Sequence, residues 1–168
     1  MEIERKFLIK TLPSDLESYP SSHIEQAYLN EQPVLRIRKK DDSYILTYKS
    51  NGMRAREESE FPLTQEAYEH LRTKADGKII CKTRYFIPLP PHTIELDVFE
   101  GDMAPLIMAE VEFASLEDAD AFLPPEWFGT HVTMDHRYHN VNMALYRLSI
   151  WRGLIHTAPL FLSMLLIA

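Results

Sequence analysis

The chain has a single cysteine, Cys81, in 168 residues, which excludes an intramolecular disulfide and a cysteine-rich zinc site. That scarcity suits a reducing compartment, and the cytoplasm is the expected location. Glycine is sparse, at 5 residues, and no Ser/Gly linker or tract of one residue type divides the sequence. Positive charge is in deficit, since 18 Lys and Arg against 25 Asp and Glu leave a formal net charge of −7. Such a chain exerts no overall pull on nucleic acid or an anionic membrane, so no nucleic acid partner is expected. Residues 1–10 mix charged and apolar positions and lack the basic stretch and apolar core of a secretory signal. Residues 158–168 are apolar apart from Ser163, but they fall short of the roughly 20 residues that span a bilayer.

What is present is the composition of one ordinary soluble domain, 45% hydrophobic and 26% charged. We expect that domain over residues 1–149, followed by an apolar tail, 150–168, of unknown role. Packing against the body or against a second copy is favoured for the tail over membrane attachment, so a monomer or homodimer is expected.

Strand-like alternation recurs at residues 3–9, 34–39, 44–49, 56–61, 82–87, 93–99 and 108–113. Residues 64–75 read as a helix with Thr64 as N-cap and Gly77 beyond its end. Residues 115–123 read as another, capped by Ser115, and a third starts near Val141. The class is α+β.

The polar members of the alternation are almost all ionic. Glu2, Glu4 and Lys6 share one face of the first strand. Arg36 and Arg38, Lys49 with Thr47, and Arg56 with Glu58 and Glu60 follow in phase. Lys82 with Arg84, Glu95 with Asp97, and Glu110 with Glu112 repeat the pattern. One reading is a solvated sheet face laced with cross-strand ion pairs. The other is a curled sheet with an ionic interior, which is costly to desolvate unless water, metal ions and a polyanion fill it. Lysines and arginines would then hold phosphate oxygens, while the paired carboxylates Glu2/Glu4 and Glu110/Glu112 would share hard divalent cations. Residues i and i+2 of one strand lie roughly 6.5 to 7 Å apart, which permits that sharing. His131, His136 and His139 have no spacing that favours zinc. Cys81 is expected to point away from the ionic face.

The opening Glu2-x-Glu4-x-Lys6 resembles the ExExK signature of the CYTH family, also called triphosphate tunnel metalloenzymes. LRIRK at 35–39, LTYKS at 46–50, REESEF at 56–61, KTRY at 82–85, ELDVF at 95–99, EVEF at 110–113 and DHRY at 135–138 follow in the family's order. The resemblance covers residues 1–148 and implies an eight-stranded antiparallel barrel, a tunnel with an ionic interior and flanking helices. It implies metal-dependent hydrolysis of inorganic or organic triphosphate with Mg²⁺ or Mn²⁺ as cofactor. Carried over, Glu2, Glu4, Glu110 and Glu112 are metal ligands, with Glu60 or Asp97 in support. Glu2, Glu4, Lys6 and Lys82 are the catalytic set. Lys6, Arg36, Arg38, Lys49, Arg56, Lys82, Arg84 and Arg137 bind substrate. The alternatives are an adenylate cyclase of the same fold, or a module that binds polyphosphate without turning it over. The apolar tail departs from the family pattern.

Overall fold

The computed structural model describes residues 3–50 and 58–145. The expected site residues Glu2 and Arg56 lie outside these, as do the tail 150–168 and the continuation of the third helix. The strands are β1 (Glu4–Ile9), β2 (Ser21–Asn30), β3 (Val34–Lys40), β4 (Ser43–Lys49), β5 (Glu58–Pro62), β6 (Asp76–Leu89), β7 (His92–Phe99), β8 (Ile107–Glu112) and β9 (Phe128–His131). They form one antiparallel sheet in the order β5-β4-β3-β2-β6-β7-β8-β1-β9. Among the described residues there are nine strands, and the hydrogen-bonded ladder ends at β5 and β9.

The two strands missing from the sequence expectation have physical reasons to be missed. In β2 the residues facing the ionic side include Ile24, Gln26 and Tyr28, so no charge alternation marks it. The strand β9 has only 4 residues. Asp41 and Asp42 make a tight turn between Lys40 and Ser43, with Asp41 at φ 51°.

Among the described residues three α-helices flank the sheet. In α1 (Gln65–Arg72) the Thr64 hydroxyl accepts from the Ala67 amide at 3.2 Å, as its capping position predicts. The helix stops at Arg72, short of the expected 75, and Gly77 belongs to β6. There its φ of 69° and its position against the Ala144 carbonyl leave no room for a side chain. In α2 (Leu116–Ala121) the Ser115 hydroxyl accepts from the Asp118 amide at 3.1 Å. The third helix, α3 (Asn140–Leu145), packs on β6. Among the described residues no helix is long and apolar enough to cross a membrane.

The apolar halves of the alternation lie under these helices. Phe7, Ile94, Leu96 and Val111 pack with Phe113, Phe122 and Phe128 beside α2, while Ala27 and Ile37 pack under Tyr68 of α1. Burial of each such large side chain contributes about 1.5–3 kcal/mol. Tyr28, Ile80, Phe99 and Met108 share the side of their strands with Gln26, Lys82, Asp97 and Glu110, yet they pack with Met143 and Ala144 of α3. The inward face is therefore ionic along most of its length and apolar at the end covered by α3.

That inward face is concave. Tyr28 on β2 packs in one cluster with Met108 on β8 and Leu8 on β1. In a flat sheet β2 and β1, four strands apart in this order, would be about 19 Å from one another. Curling brings them into that one cluster, and it turns the ionic residues toward one another instead of toward bulk water.

Candidate active site

Register builds the first wall. The β1–β8 pairing sets Glu4 opposite Glu112 and Lys6 opposite Glu110. The Lys6 ammonium donates to Glu110 Oε1 at 2.5 Å and lies 2.9 Å from Glu4 Oε1. Burial pulls the Lys6 pKa down, but the charges and hydrogen bonds of Glu110 and Glu4 outweigh it and leave it above the ordinary lysine value. Burial pushes Glu110 up, and the opposing pull of Lys6, Lys82 and Arg84 holds it well below the usual carboxylate range.

The second wall is the β6–β7 hairpin, where Arg84 stands opposite Asp97. Arg84 grips Asp97 with Nε at 2.6 Å and Nη2 at 2.7 Å, reaches Glu110 Oε2 at 2.7 Å, and pairs with Glu95 through Nη1. Lys82 pairs with Asp97 through Oδ2, the oxygen that also accepts from Arg84 Nη2, and both Lys82 and Asp97 are almost fully buried. Lys82 is lowered from the ordinary lysine pKa because burial exceeds the help from Asp97, and the Arg84 charge adds to the lowering. Burial raises Glu95 despite Arg84, with Glu110 and Asp97 adding repulsion.

The third wall comes from β3, β4 and β5 and has a different character. Arg36 Nη2 donates to the Thr47 hydroxyl at 3.2 Å, Thr47 donates to Glu60 at 3.2 Å, and Arg38 Nη2 donates to Glu60 at 3.2 Å. Lys49 pairs with Glu58 at 3.1 Å. The Nε groups of Arg36 and Arg38 are buried and find no acceptor among the described residues. Burial, with the charges of Arg36 and Arg84, lowers the Arg38 pKa although Glu60 opposes it. Buried donors in a cationic patch call for an anion, because an unmet donor retains its full desolvation cost.

The structure thus gathers Glu4, Lys6, Arg36, Arg38, Lys49, Lys82, Arg84, Glu110 and Glu112 on one concave face. Arg137 sits on an exposed turn, where Asp135 holds its guanidinium through Nε at 2.9 Å and Nη2 at 2.5 Å, while the adjacent Tyr138 packs with Tyr28 and Met108 at the end covered by α3. Among the described residues no three His, Cys, Asp or Glu side chains stand ready as a metal cage. The Lys6 ammonium lies between Glu4 and Glu110. His139 approaches the Thr133 carbonyl at 3.0 Å. A cavity of about 480 Å³ opens beside this cluster, lined by Glu95, Glu112, His92 and Asp118 among others.

Sequence reasoning missed Gln26 and Tyr28, both buried on the inward face, with Gln26 Nε2 donating to the Tyr28 hydroxyl at 3.3 Å. Burial pushes the Tyr28 phenol up to about 12 against the charges of Arg36 and Lys6. A polar residue spaced two before a tyrosine, in a strand whose other face is Glu25, Ala27 and Leu29, is the signal that could have found them. Cys81 alternates with Lys82 and so faces away, as expected, and burial together with Glu25 and Glu100 raises its thiol pKa.

A wrapped antiparallel sheet whose concave face carries carboxylates on one wall and unmet guanidinium donors on another defines a class of charged-interior β proteins. Within that class the chain belongs to the CYTH domain family, whose family model matches residues 1–124. An inorganic triphosphatase of Nitrosomonas europaea is 42% identical over 149 residues, covering 86% of this chain and 97% of the relative. An inorganic triphosphatase of Acetivibrio thermocellus is 34% identical over 151 residues, covering 84% of this chain and 92% of the relative. The crystal structure of an inorganic triphosphatase superposes with a TM-score of 0.71 at 39% identity, over 88% of this chain and 96% of that one. A putative adenylate cyclase from Bacillus halodurans has a TM-score of 0.55 at 22% identity, over 71% of this chain and 84% of that one, a likeness of fold alone.

Proposed function

We propose that this protein hydrolyses inorganic triphosphate to pyrophosphate and orthophosphate, using a divalent ion held by Glu4, Glu110 and Glu112 together with Glu2. The observation that carries the reading is the pair of buried, unmet Arg36 and Arg38 donors facing an all-oxygen carboxylate set across one concave surface. The names of the two relatives support it, since both are inorganic triphosphatases similar over most of this chain.

The residues fit a hard cation. Glu4 and Glu110 already place oxygens around one positive charge, the Lys6 ammonium. A bound Mg²⁺ or Mn²⁺ supplies neutralisation of phosphate charge and a more acidic water. The chain's own residues do the positioning. Arg36 and Arg38 offer their Nε–H groups to phosphate oxygens, with Lys6, Lys49 and Arg56 as further cations. Lys82 and Arg84 are held by Asp97 and act first on the carboxylates, fixing Glu110 and Glu95 in place. Such positioning and charge neutralisation are the main requirements of phosphoryl transfer, and no nucleophilic side chain is needed. The reading places the enzyme in the cytoplasm, in keeping with its lone cysteine.

Phosphate release from tripolyphosphate and ATP, with Mg²⁺, with Mn²⁺ and with chelator, tests the proposal. Turnover of tripolyphosphate that exceeds ATP and disappears with chelator is expected. A preference for ATP with a cyclic product overturns it in favour of a cyclase, and binding without release overturns it in favour of a polyphosphate-binding module.

A further inference from the structure

Lys6 stands inside the carboxylate set, not beside it. Its ammonium is shared between Glu110 and Glu4 at 2.5 and 2.9 Å, and the strand register places Glu112 across from Glu4. Carboxylates gathered this closely repel one another unless a cation lies between them. Arg84 touches the same Glu110 through its other oxygen, but its fork is fixed to Asp97 by two bonds of 2.6 and 2.7 Å. The Lys6 ammonium is held at a single nitrogen, by Glu110 and Glu4. A lysine ammonium is a compact point charge on a flexible stem, able to leave its partners as a rigid fork is not.

We propose that Lys6 is the internal occupant of the divalent cation site, leaving Glu4 and Glu110 when a metal ion binds and carrying its ammonium to the phosphate. This rests on the triphosphatase reading of the same face. It makes the two ligands mutually reinforcing. Drawing the Lys6 ammonium toward phosphate frees the carboxylates for metal, and filling the carboxylates frees the ammonium for phosphate. Linkage requires the two affinities to rise by the same factor.

Calorimetric titration with Mn²⁺ alone, without triphosphate, distinguishes this from a purely substrate-binding role. Lys6→Met should bind Mn²⁺ about tenfold more tightly than wild type or better, by the scale of close charge-pair couplings. Lys78→Met, which removes a surface cation paired with Asp102, should change the affinity by less than about threefold because such charges are screened. Unchanged or weaker Mn²⁺ binding by a folded Lys6→Met protein overturns the proposal while leaving the triphosphatase reading intact. Metal-independent hydrolysis by wild type, with no Mn²⁺ bound, removes that reading and the proposal with it. A second measurement needs no variant. Acetylation of Lys6 in the wild-type protein, followed by mass spectrometry, should rise severalfold when Mn²⁺ is added, and an unchanged rate overturns the displacement.

Discussion

Asp97 shows how a single residue can hold an ionic interior together. It is fully buried, accepts from Lys82 and from two nitrogens of Arg84, and so compensates two cations at once. Asp97→Ala leaves Lys82 buried without its carboxylate, and breaking a buried pair from one side costs about 3–5 kcal/mol. Urea denaturation should report that loss, whereas Glu4→Gln should melt close to wild type because Glu4 is only half-buried. Turnover should separate the two variants in the opposite sense. Glu4→Gln should lower triphosphate hydrolysis by at least about 100-fold, the scale for losing one preorganised electrostatic contact, as phosphate release at saturating Mg²⁺ would show. Most of these residues were legible in the sequence because ionic side chains recur in phase on successive strands. The division between them was not. Charge alternation cannot tell Arg84, saturated by Asp97, Glu95 and Glu110, from Arg36 and Arg38, whose Nε groups remain unmet. That distinction depends on which strands neighbour one another, and β7 supplies carboxylates to β6 while β2, lying between β6 and β3, supplies Gln26 and Tyr28.

At the scale of elements, α1 is strapped to β2 by a residue that alternation assigns to the outside. Glu25 accepts from the Tyr68 hydroxyl at 2.6 Å and from Arg72 Nε at 2.7 Å, both on α1. Burial pushes the Glu25 carboxyl up, but these two hydrogen bonds and the Arg72 charge outweigh it and hold it below the ordinary value of 4.5. A carboxylate depressed in the folded state contributes stability above its unfolded pKa, and that contribution is lost as pH falls through the folded value. The melting temperature of wild type should therefore decline below about pH 4.5, and Glu25→Gln should flatten that acid limb while lowering stability at neutral pH. Tyr68→Phe should cost about 1 kcal/mol at pH 7 in denaturant titrations by removing one of the two donors. The helix itself was readable from Thr64 and its spacing. Its early end was not, because Gly77 serves the approach of α3 to β6 and not the termination of α1.

For the whole molecule, curling converts an arrangement that would be worth little on a flat surface into a selective one. Cross-strand ion pairs exposed to water contribute a few tenths of a kcal/mol to about 1 kcal/mol each. Turned inward, the same charges must find partners, and the carboxylates of β1, β7 and β8 occupy Lys6, Lys82 and Arg84 while the guanidiniums of β3 keep open donors. On the proposed function, triphosphate runs from those donors toward the carboxylate wall, where divalent ions would neutralise it. A pyrophosphate satisfies one end and leaves desolvated charge at the other, which costs affinity. Triphosphate should accordingly bind more tightly than pyrophosphate with the same metal. At a concentration of 100 times its Kd it should stabilise the folded protein by about 2.7 kcal/mol, read as a rise in melting temperature. Arg38→Ala removes one of the open donors, so it should weaken triphosphate binding more than pyrophosphate binding and narrow the gap between their melting shifts. Equal kcat/KM values for the two phosphates, or a melting shift that Arg38→Ala leaves untouched, would show that phosphate chain length is not what this interior measures.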